Sequence, residues 1–151
     1  MKINWNIICR LCLFAGCLCC SQYGFSQSKL SSKALQNITA DKVLLKAFES
    51  GDVSKLDLII APGFVNHQAA GDIYGLDSLK MGIGKFHGMM GTVKLELVRQ
   101  WADDEFVNDW VRFCSPNSKM VIEGMEVTRY VNGKAVEHFF FPNGQARRTK
   151  Q

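Results

Sequence analysis

Outside its first 26 residues the sequence has a single cysteine, Cys114. One cysteine cannot form an internal disulfide, so we expect the folded domain to be stabilised by packing alone. The other cysteines lie close together near the N-terminus, at Cys9, Cys12, Cys17, Cys19 and Cys20. No His, Asp or Glu accompanies them in that segment. We therefore interpret them as small apolar residues of a leader rather than as ligands of a metal ion.

Histidine is also scarce. The chain has three, and none has the H-x-H or H-E-x-x-H spacing of a zinc site. The sequence contains no G-x-S-x-G element and no phosphate-binding glycine loop. We therefore expect neither a metal ion nor a cofactor.

Positive charge is in only slight excess. The formal net charge is +4, and it falls to +2 without Lys2 and Arg10 of the leader. Arg147, Arg148 and Lys150 lie in the terminal tail, so the body of the chain is close to neutral. With no basic stripe and no nucleic-acid-binding motif, we expect no nucleic-acid partner.

The first 26 residues have the composition of a secretory signal. Their apolar segment ends near Cys20 and is too short to span a membrane comfortably. The small residues Gly24 and Ser26 suit cleavage before Gln27. Ala15-Gly16-Cys17 also resembles the end of a lipoprotein signal, in which Cys17 is acylated. We expect a secreted or periplasmic protein that has no membrane contact unless Cys17 carries a lipid.

The rest of the chain has the length and apolar content of one domain, since 47% of the 151 residues are hydrophobic. We divide the chain into a leader (1–26), a linker (27–31), a domain (32–143) and a basic polar tail (144–151). Apolar residues at helical spacing predict three helices in the first half of the domain. The first helix ends at Gly51, the second begins at Asp52, and the third begins at Asp77.

From Val93 onward apolar and polar residues alternate, which predicts strands. One of these strands has Trp110 on one face and Asp109 on the other. Helices followed by an antiparallel meander indicate an α+β fold. Both faces of the last strand are apolar around Phe139 and Phe140. One face can pack on the helices and the other on a second copy of the chain, so we expect a homodimer.

The dipeptide Asn132-Gly133 predicts a two-residue type I′ turn between the last two strands. A regular register from this turn places Val127 opposite His138 and gathers the apolar side chains onto a shared face. Glu126, Thr128 and Glu137 then fall on the opposite face. An apolar face with one Arg and one His as its only polar groups is typical of a small-molecule pocket. The candidate ligand-binding residues are therefore Met125, Val127, Arg129 and Phe140, together with Trp110.

Short segments of the chain also carry a family resemblance. Gly124-Met125-Glu126, Gly133-Lys134 and Val136-Glu137-His138 follow one another, and Ala61-Pro62-Gly63-Phe64-Val65-Asn66-His67 precedes them. In this order they resemble SnoaL-like polyketide cyclases of the nuclear transport factor 2-like superfamily, over roughly residues 32–143. The resemblance implies a cone of three N-terminal helices packed on a curved, mostly antiparallel β-sheet. Phe139-Phe140 stands where the family often has Trp-Asp, and Phe cannot transfer a proton as Asp can.

The candidate catalytic residues are His67, His138 and Asp109. The resemblance places both histidines in a pocket lining, where a His acts as acid or base near neutral pH. Each His could instead hydrogen-bond a backbone carbonyl, and Asp109 could lie on an exposed strand face. Arg129 either binds an anionic oxygen of a ligand or pairs with an acidic side chain.

Three functions remain open from the sequence, and with them the question of whether the protein is an enzyme. The first is binding of a small, mostly apolar molecule in the cone. The second is an isomerase, cyclase or hydrolase that acts on a small hydrophobic substrate by His-based acid/base chemistry. The third is a non-catalytic dimeric interaction module. Polar residues that converge on an open cavity favour the enzyme, whereas a sealed, aromatic-filled cone favours the module.

Overall fold

The computed structural model of the chain describes residues 29–68 and 70–144, and the backbone of 147–148. The leader, Cys17 and the expected new N-terminus at Gln27 lie outside these residues. Within the described ranges, no helix is both long and apolar enough to cross a membrane.

The first helix, α1, covers Ser32–Ser50. Its first turn is capped by the Ser31 side chain, which accepts a hydrogen bond from the Ala34 amide. Gly51 ends the helix with φ of 75°, and its N–H donates to the Ala47 carbonyl. This αL position suits glycine, so the predicted helix end is confirmed. The buried stripe of α1 includes one acidic side chain, Asp41.

The other two helices differ in length from each other and from the prediction. The second, α2, covers only Leu56–Ile59, because the Asp52 carboxylate accepts a hydrogen bond from the Ser54 amide in a turn before it. The third, α3, covers Leu76–Met90. Asp77 lies in its first turn and makes no side-chain cap.

The strands form one sheet. They are β1 (Ile60–His67), β2 (Ile73–Tyr74), β3 (Lys94–Ala102), β4 (Phe106–Ser115), β5 (Met120–Val131), β6 (Lys134–Pro142) and β7 (Arg147–Arg148). The order is β2-β1-β6-β5-β4-β3, and β7 pairs with β5. Only β1 and β6 pair in parallel, whereas the other described pairs are antiparallel. The predicted α+β class with a mostly antiparallel sheet is therefore confirmed.

The hairpin between β5 and β6 has a different register from the predicted one. Asn132 and Gly133 have φ of 51° and 73°, as a type I′ turn requires. Val131 pairs with Lys134 as expected, but the register shifts after Tyr130. A β-bulge places one extra residue in β6, so every later residue moves by one position.

The shift changes which side chains share a face, because side chains alternate along a strand. Thr128, rather than Val127, pairs with His138, and Arg129 pairs with Glu137. The predicted shared face is therefore wrong. Glu126 and Thr128 lie on the same face as His138, which we call the inner face because it is covered by the helices.

The core lies between the inner face and the helices. It includes the buried side chains Leu44, Leu56, Phe64, Ile83, Val107 and Tyr130.

Gly124 belongs to the inner face of the sheet, and a Cβ atom there would come within 2.7 Å of the Phe140 ring. Glycine at this position therefore gives Phe140 room to lie over β5. On the outer face of the sheet, large apolar side chains remain exposed, among them Trp101, Trp110 and Phe141.

Candidate functional site

A cavity of about 380 Å³ lies between the inner face of the sheet and the helices α1 and α3. Its walls are mostly apolar and include Phe48, Leu79, Ile83, Phe86, Phe113 and Phe140. Gln68, Ala70 and Pro142 also line it and are exposed, so they mark its mouth. Three buried polar side chains converge on it, namely Asn66, Glu126 and His138. An open apolar cavity with a few polar groups has the form of a small-molecule site.

His138 reaches the cavity from β6 and is 3% exposed. Its Nδ1 atom lies 3.0 Å from the amide oxygen of Asn66, which only accepts, so Nδ1 carries the proton and donates. Nε2 is then a bare acceptor, and it is buried without a hydrogen-bond partner among the described residues. Burial, with a smaller effect from the charge of His67, lowers the pKa of His138 to about 4. The imidazole is therefore neutral at neutral pH.

Glu126 reaches the cavity from β5 and is 4% exposed. Burial, and then the nearby charge of Asp109, raise the pKa of the Glu126 carboxyl to about 8. Its Oε1 atom lies 4.0 Å from His138 Nε2. Because the carboxyl is mostly protonated and the imidazole is neutral at pH 7, this contact joins two neutral groups and is not an ion pair.

Two more carboxyls lie behind Glu126, away from the cavity. Asp109 on β4 is directly opposite Glu126 in the sheet, and both are buried. Asp41 on α1 accepts a hydrogen bond of 2.9 Å from the Tyr130 hydroxyl. We call the three carboxyls of Asp41, Asp109 and Glu126 the acid row.

The acid row perturbs the titration of its own members. The pKa of Asp41 is raised well above its usual value, first by burial and then by a hydrogen bond to Asp109 and by the charges of Asp109 and Glu126. The pKa of Tyr130 is raised as well, mainly by burial and by the charge of Asp41. Both shifts favour the protonated form of the group.

The structure places the predicted ligand-binding residues in two different regions. Phe140 lines the cavity, whereas Met125, Val127 and Arg129 lie on the outer face because of the register shift in the hairpin. The Arg129 guanidinium donates to Glu137 at 2.8 Å, which is the ion-pair alternative of the sequence analysis. Trp110 also lies on the outer face, where its indole N–H donates to Glu123 at 2.9 Å.

The three predicted catalytic residues are not brought together. His138 is in the cavity wall and Asp109 lies behind it, in the buried acid row. His67 is on the outer side of β1, where its Nδ1 atom is 2.8 Å from Asp72 Oδ1 and its ring stacks on Phe139. Its neighbour Asn66 points inward instead, since side chains alternate along a strand.

The sequence analysis missed four residues of this site, which are Asn66, Asp41, Glu126 and Tyr130. Asp41 falls on the buried stripe of α1, four residues after Asn37 and three before Leu44. An acidic residue in such a stripe is a signal that helical periodicity alone could have found. Glu126 was assigned to the wrong face because no feature of the sequence marked the bulge. Among the described residues, no group of three His, Cys, Asp or Glu side chains is arranged to hold a metal ion.

Comparison with known proteins agrees with this architecture. The most similar solved structures include a candidate SnoaL-like polyketide cyclase from Jannaschia sp. CCS1, with 11% identity and a TM-score of 0.69 over 76% of this chain and 90% of that one. Bal32a, from a soil-derived mobile gene cassette, has 22% identity and a TM-score of 0.65 over 74% of this chain and 92% of its own. An LEH-like epoxide hydrolase from M. tuberculosis has 15% identity and a TM-score of 0.59 over 74% and 85% of the two chains.

These structures share the fold at identities too low to transfer an activity. No curated protein sequence matches the chain. The model of the SnoaL-like domain family matches residues 42–138, which is more than half of the chain. The chain therefore belongs to the SnoaL-like domain family, with the nuclear transport factor 2-like fold of its structural neighbours.

Proposed function

We propose that this protein binds a small, mostly apolar molecule in the cavity, with a polar group of that molecule held by Glu126 and His138. The observation that carries the proposal is the buried, unpaired Nε2 atom of His138, 4.0 Å from the Glu126 carboxyl. A buried acceptor without a partner costs about 1–3 kcal/mol of stability, so its retention at a cavity indicates that a ligand completes it. A ligand hydroxyl can donate to Nε2, and a ligand carbonyl can accept from protonated Glu126.

The same geometry supports an enzyme that moves a proton on its ligand, of the isomerase or cyclase type. A carboxyl with a pKa of about 8 is present in both forms near neutral pH. Its ionised form can take a proton from a carbon beside a carbonyl, and its protonated form can return that proton to another atom. His138 is a weaker base because its pKa is lowered to about 4. In this proposal His138 positions the ligand and Glu126 transfers the proton.

The remaining function of the sequence analysis, an interaction module with a filled pocket, has less support. The cavity is open, and its polar groups converge at one place. We also propose that the protein is exported and that it forms a homodimer through the outer face of the sheet. These two points concern where, and in which oligomeric state, the ligand is bound.

Proton exchange on a small ketone tests the proposal. The wild-type protein is incubated with 2-tetralone in D₂O, and loss of the proton signals beside the carbonyl is followed by NMR. We expect the wild-type protein to exchange these protons faster than buffer alone does. The exchange rate should fall by about 10²–10⁴-fold in the variant Glu126→Gln, which is the range that a general acid–base contributes. Glu137→Gln is the control, since Glu137 lies on the adjacent strand but pairs with Arg129 on the outer face.

The test separates binding from catalysis. Shifts of the Phe140 and His138 signals by 2-tetralone without added exchange would establish a binding protein that transfers no proton. Neither shifts nor exchange with 2-tetralone, cyclohexenone and 1-indanol would contradict the proposal.

A further inference from the structure

The acid row gives Glu126 two acidic neighbours that do not touch the cavity. Asp109 reaches Glu126 from β4 and Asp41 reaches Asp109 from α1. The exposed fractions of the Asp41 and Asp109 side chains are so small (2% and 1%) that bulk water does not solvate them. The fold does not require carboxyls at these buried positions, because apolar side chains would fill the same core without the free-energy cost of burying a carboxyl.

The two carboxyls leave buried oxygens without a hydrogen-bond partner. The Tyr130 hydroxyl donates to Oδ1 of Asp41, which leaves Oδ2. Asp41 Oδ2 and Asp109 Oδ1 are both buried and have no hydrogen-bond partner among the described residues. Two carboxylate oxygens only accept, so they form a hydrogen bond only when one of them carries a proton. One proton held between Asp41 and Asp109 would satisfy both oxygens and would leave one negative charge on the pair.

No cation balances that charge at the cavity. The titratable groups that face Glu126 are Asp109 from β4, Asp41 from α1, Tyr130 from its own strand and His138 from β6. His138 is neutral at pH 7, and no Lys or Arg is among the described residues that line the cavity. With one proton on the Asp41–Asp109 pair, a ligand group beside Glu126 would meet a negative charge behind a mostly protonated carboxyl.

We propose that Asp109 and Asp41 are positioning residues, whose shared proton leaves a single negative charge behind Glu126, and that this charge restricts the cavity to ligands without a negative charge of their own. The inference has two halves. The ligand half, which concerns the ligands that the cavity accepts, rests on the proposed function. The proton-sharing half, which concerns Asp41 and Asp109, depends on the protein alone. The charge also increases the proton affinity of Glu126, which keeps that carboxyl available as a donor to a ligand carbonyl. The chemical class of ligand is thus a neutral alcohol or carbonyl compound with an apolar body.

The proton-sharing half is tested by carbon-13 NMR of the wild-type protein with labelled Asp and Glu carboxyls. At pH 7 the Asp41–Asp109 pair should give one protonated and one ionised signal. Two ionised or two protonated carboxyls would overturn the inference. This measurement needs no substitution, so it does not depend on the folding of a variant.

Two asparagine variants locate the charge. Asp109→Asn removes it, so the midpoint of the Glu126 titration should fall by about one pH unit or more. Asp41→Asn should change this midpoint little, because the amide replaces a carboxylic acid, donating to Asp109 and accepting from Tyr130 as before. A shift in Asp41→Asn as large as that in Asp109→Asn contradicts the assignment, as does an unchanged midpoint in Asp109→Asn.

The ligand half is tested with two probes of similar size, neutral 2-naphthol and anionic 2-naphthoate, by titration calorimetry at pH 7. We expect the wild-type protein to bind 2-naphthol at least about tenfold more tightly, and Asp109→Asn to narrow that preference by about tenfold. Equal affinities in the wild-type protein would overturn the charge restriction while leaving the proposed function in place. Binding of neither probe would instead contradict the proposed function, and the NMR result on the acid row would stand by itself.

Discussion

His138 and Glu126 face each other at 4.0 Å only because of the bulge in β6. In a regular hairpin from the Asn132-Gly133 turn, His138 would pair with Val127 and lie on the face opposite Glu126. The extra residue pairs His138 with Thr128 and turns its ring toward the cavity. A local irregularity of one strand thus assembles the polar part of the site, as bulges near functional sites commonly do.

The stability of the protein should depend on pH in two opposite ways. Glu126 has a pKa of about 8 in the folded protein and 4.5 as its ordinary value, so the folded state holds more protons and stability falls as pH rises between them. His138 has a pKa of about 4 in place of 6.5, so the folded state holds fewer protons and stability falls as pH drops through that window. We expect greatest stability near pH 5–6.5, where the two effects oppose each other.

The variant Glu126→Gln isolates the first effect. Between pH 6.5 and 8, unfolding by urea should show a decline for the wild-type protein that approaches about 1.4 kcal/mol per pH unit at its steepest. The decline should become clearly shallower in Glu126→Gln and keep its wild-type slope in Glu137→Gln. A wild-type profile that is flat between pH 6.5 and 8 would show that Glu126 is ionised in the folded protein.

The fold was largely predictable, because long periodic patterns and punctuating glycines report on whole elements. The end of α1 at Gly51 and the turn at Asn132-Gly133 follow from backbone geometry that only a few residues adopt. Leu35 of α1, by contrast, is apolar and yet 51% exposed, since periodicity fixes the centre of a helix face better than its edge.

The site was less predictable because it depends on contacts between distant residues. His138 was found from its place in the last strand, but its partner Asn66 lies 72 residues earlier in the chain. Asp41 and Tyr130 meet across 89 residues, and neither carries a local motif. Pairings of this kind become visible only when the parallel β1–β6 contact and the packing of α1 are known.

Gly82 should control the size of ligand that the cavity accepts. It lies inside α3 and lines the cavity, and a methyl group there would meet no other atom within 4 Å. Gly82→Ala should therefore raise helix stability by about 0.5–1 kcal/mol while it narrows the cavity.

Gly84→Ala is the matched control, because Gly84 lies in the same helix, is exposed and has equally open surroundings. Thermal unfolding should show a similar increase in stability for both variants, whereas only Gly82→Ala should weaken binding of 2-naphthol. Equal affinities of the two variants for 2-naphthol would show that Gly82 does not line the cavity in solution.

The outer face of the sheet should form the interface of a homodimer. Trp101, Trp110 and Phe141 are 43%, 38% and 58% exposed there, and a second copy would bury them. Light scattering should give a dimer for the wild-type protein and a monomer for Phe141→Asp. Leu58→Asp, on the 71% exposed Leu58 of α2, should leave the dimer intact. A wild-type monomer at micromolar concentration would contradict this arrangement.

The exported protein should lack the leader, since residues 1–26 have the composition of a targeting segment. Mass spectrometry of the protein recovered outside the cytoplasm should give an N-terminus near Gln27. An acylated Cys17 would establish the lipid-anchored alternative, and an intact N-terminus in the cytoplasm would refute export.

The neutral state of His138 is the most direct test of the proposed site. Nitrogen-15 NMR of the labelled imidazole ring, followed from pH 8 to pH 5, distinguishes the two neutral tautomers from the imidazolium. We expect a neutral ring throughout, with the proton on Nδ1 toward Asn66 and Nε2 bare toward Glu126 and the cavity. An imidazolium that appears at a midpoint near 6.5 would mean that His138 and Glu126 form an ion pair, and the account of a neutral ligand site would be wrong.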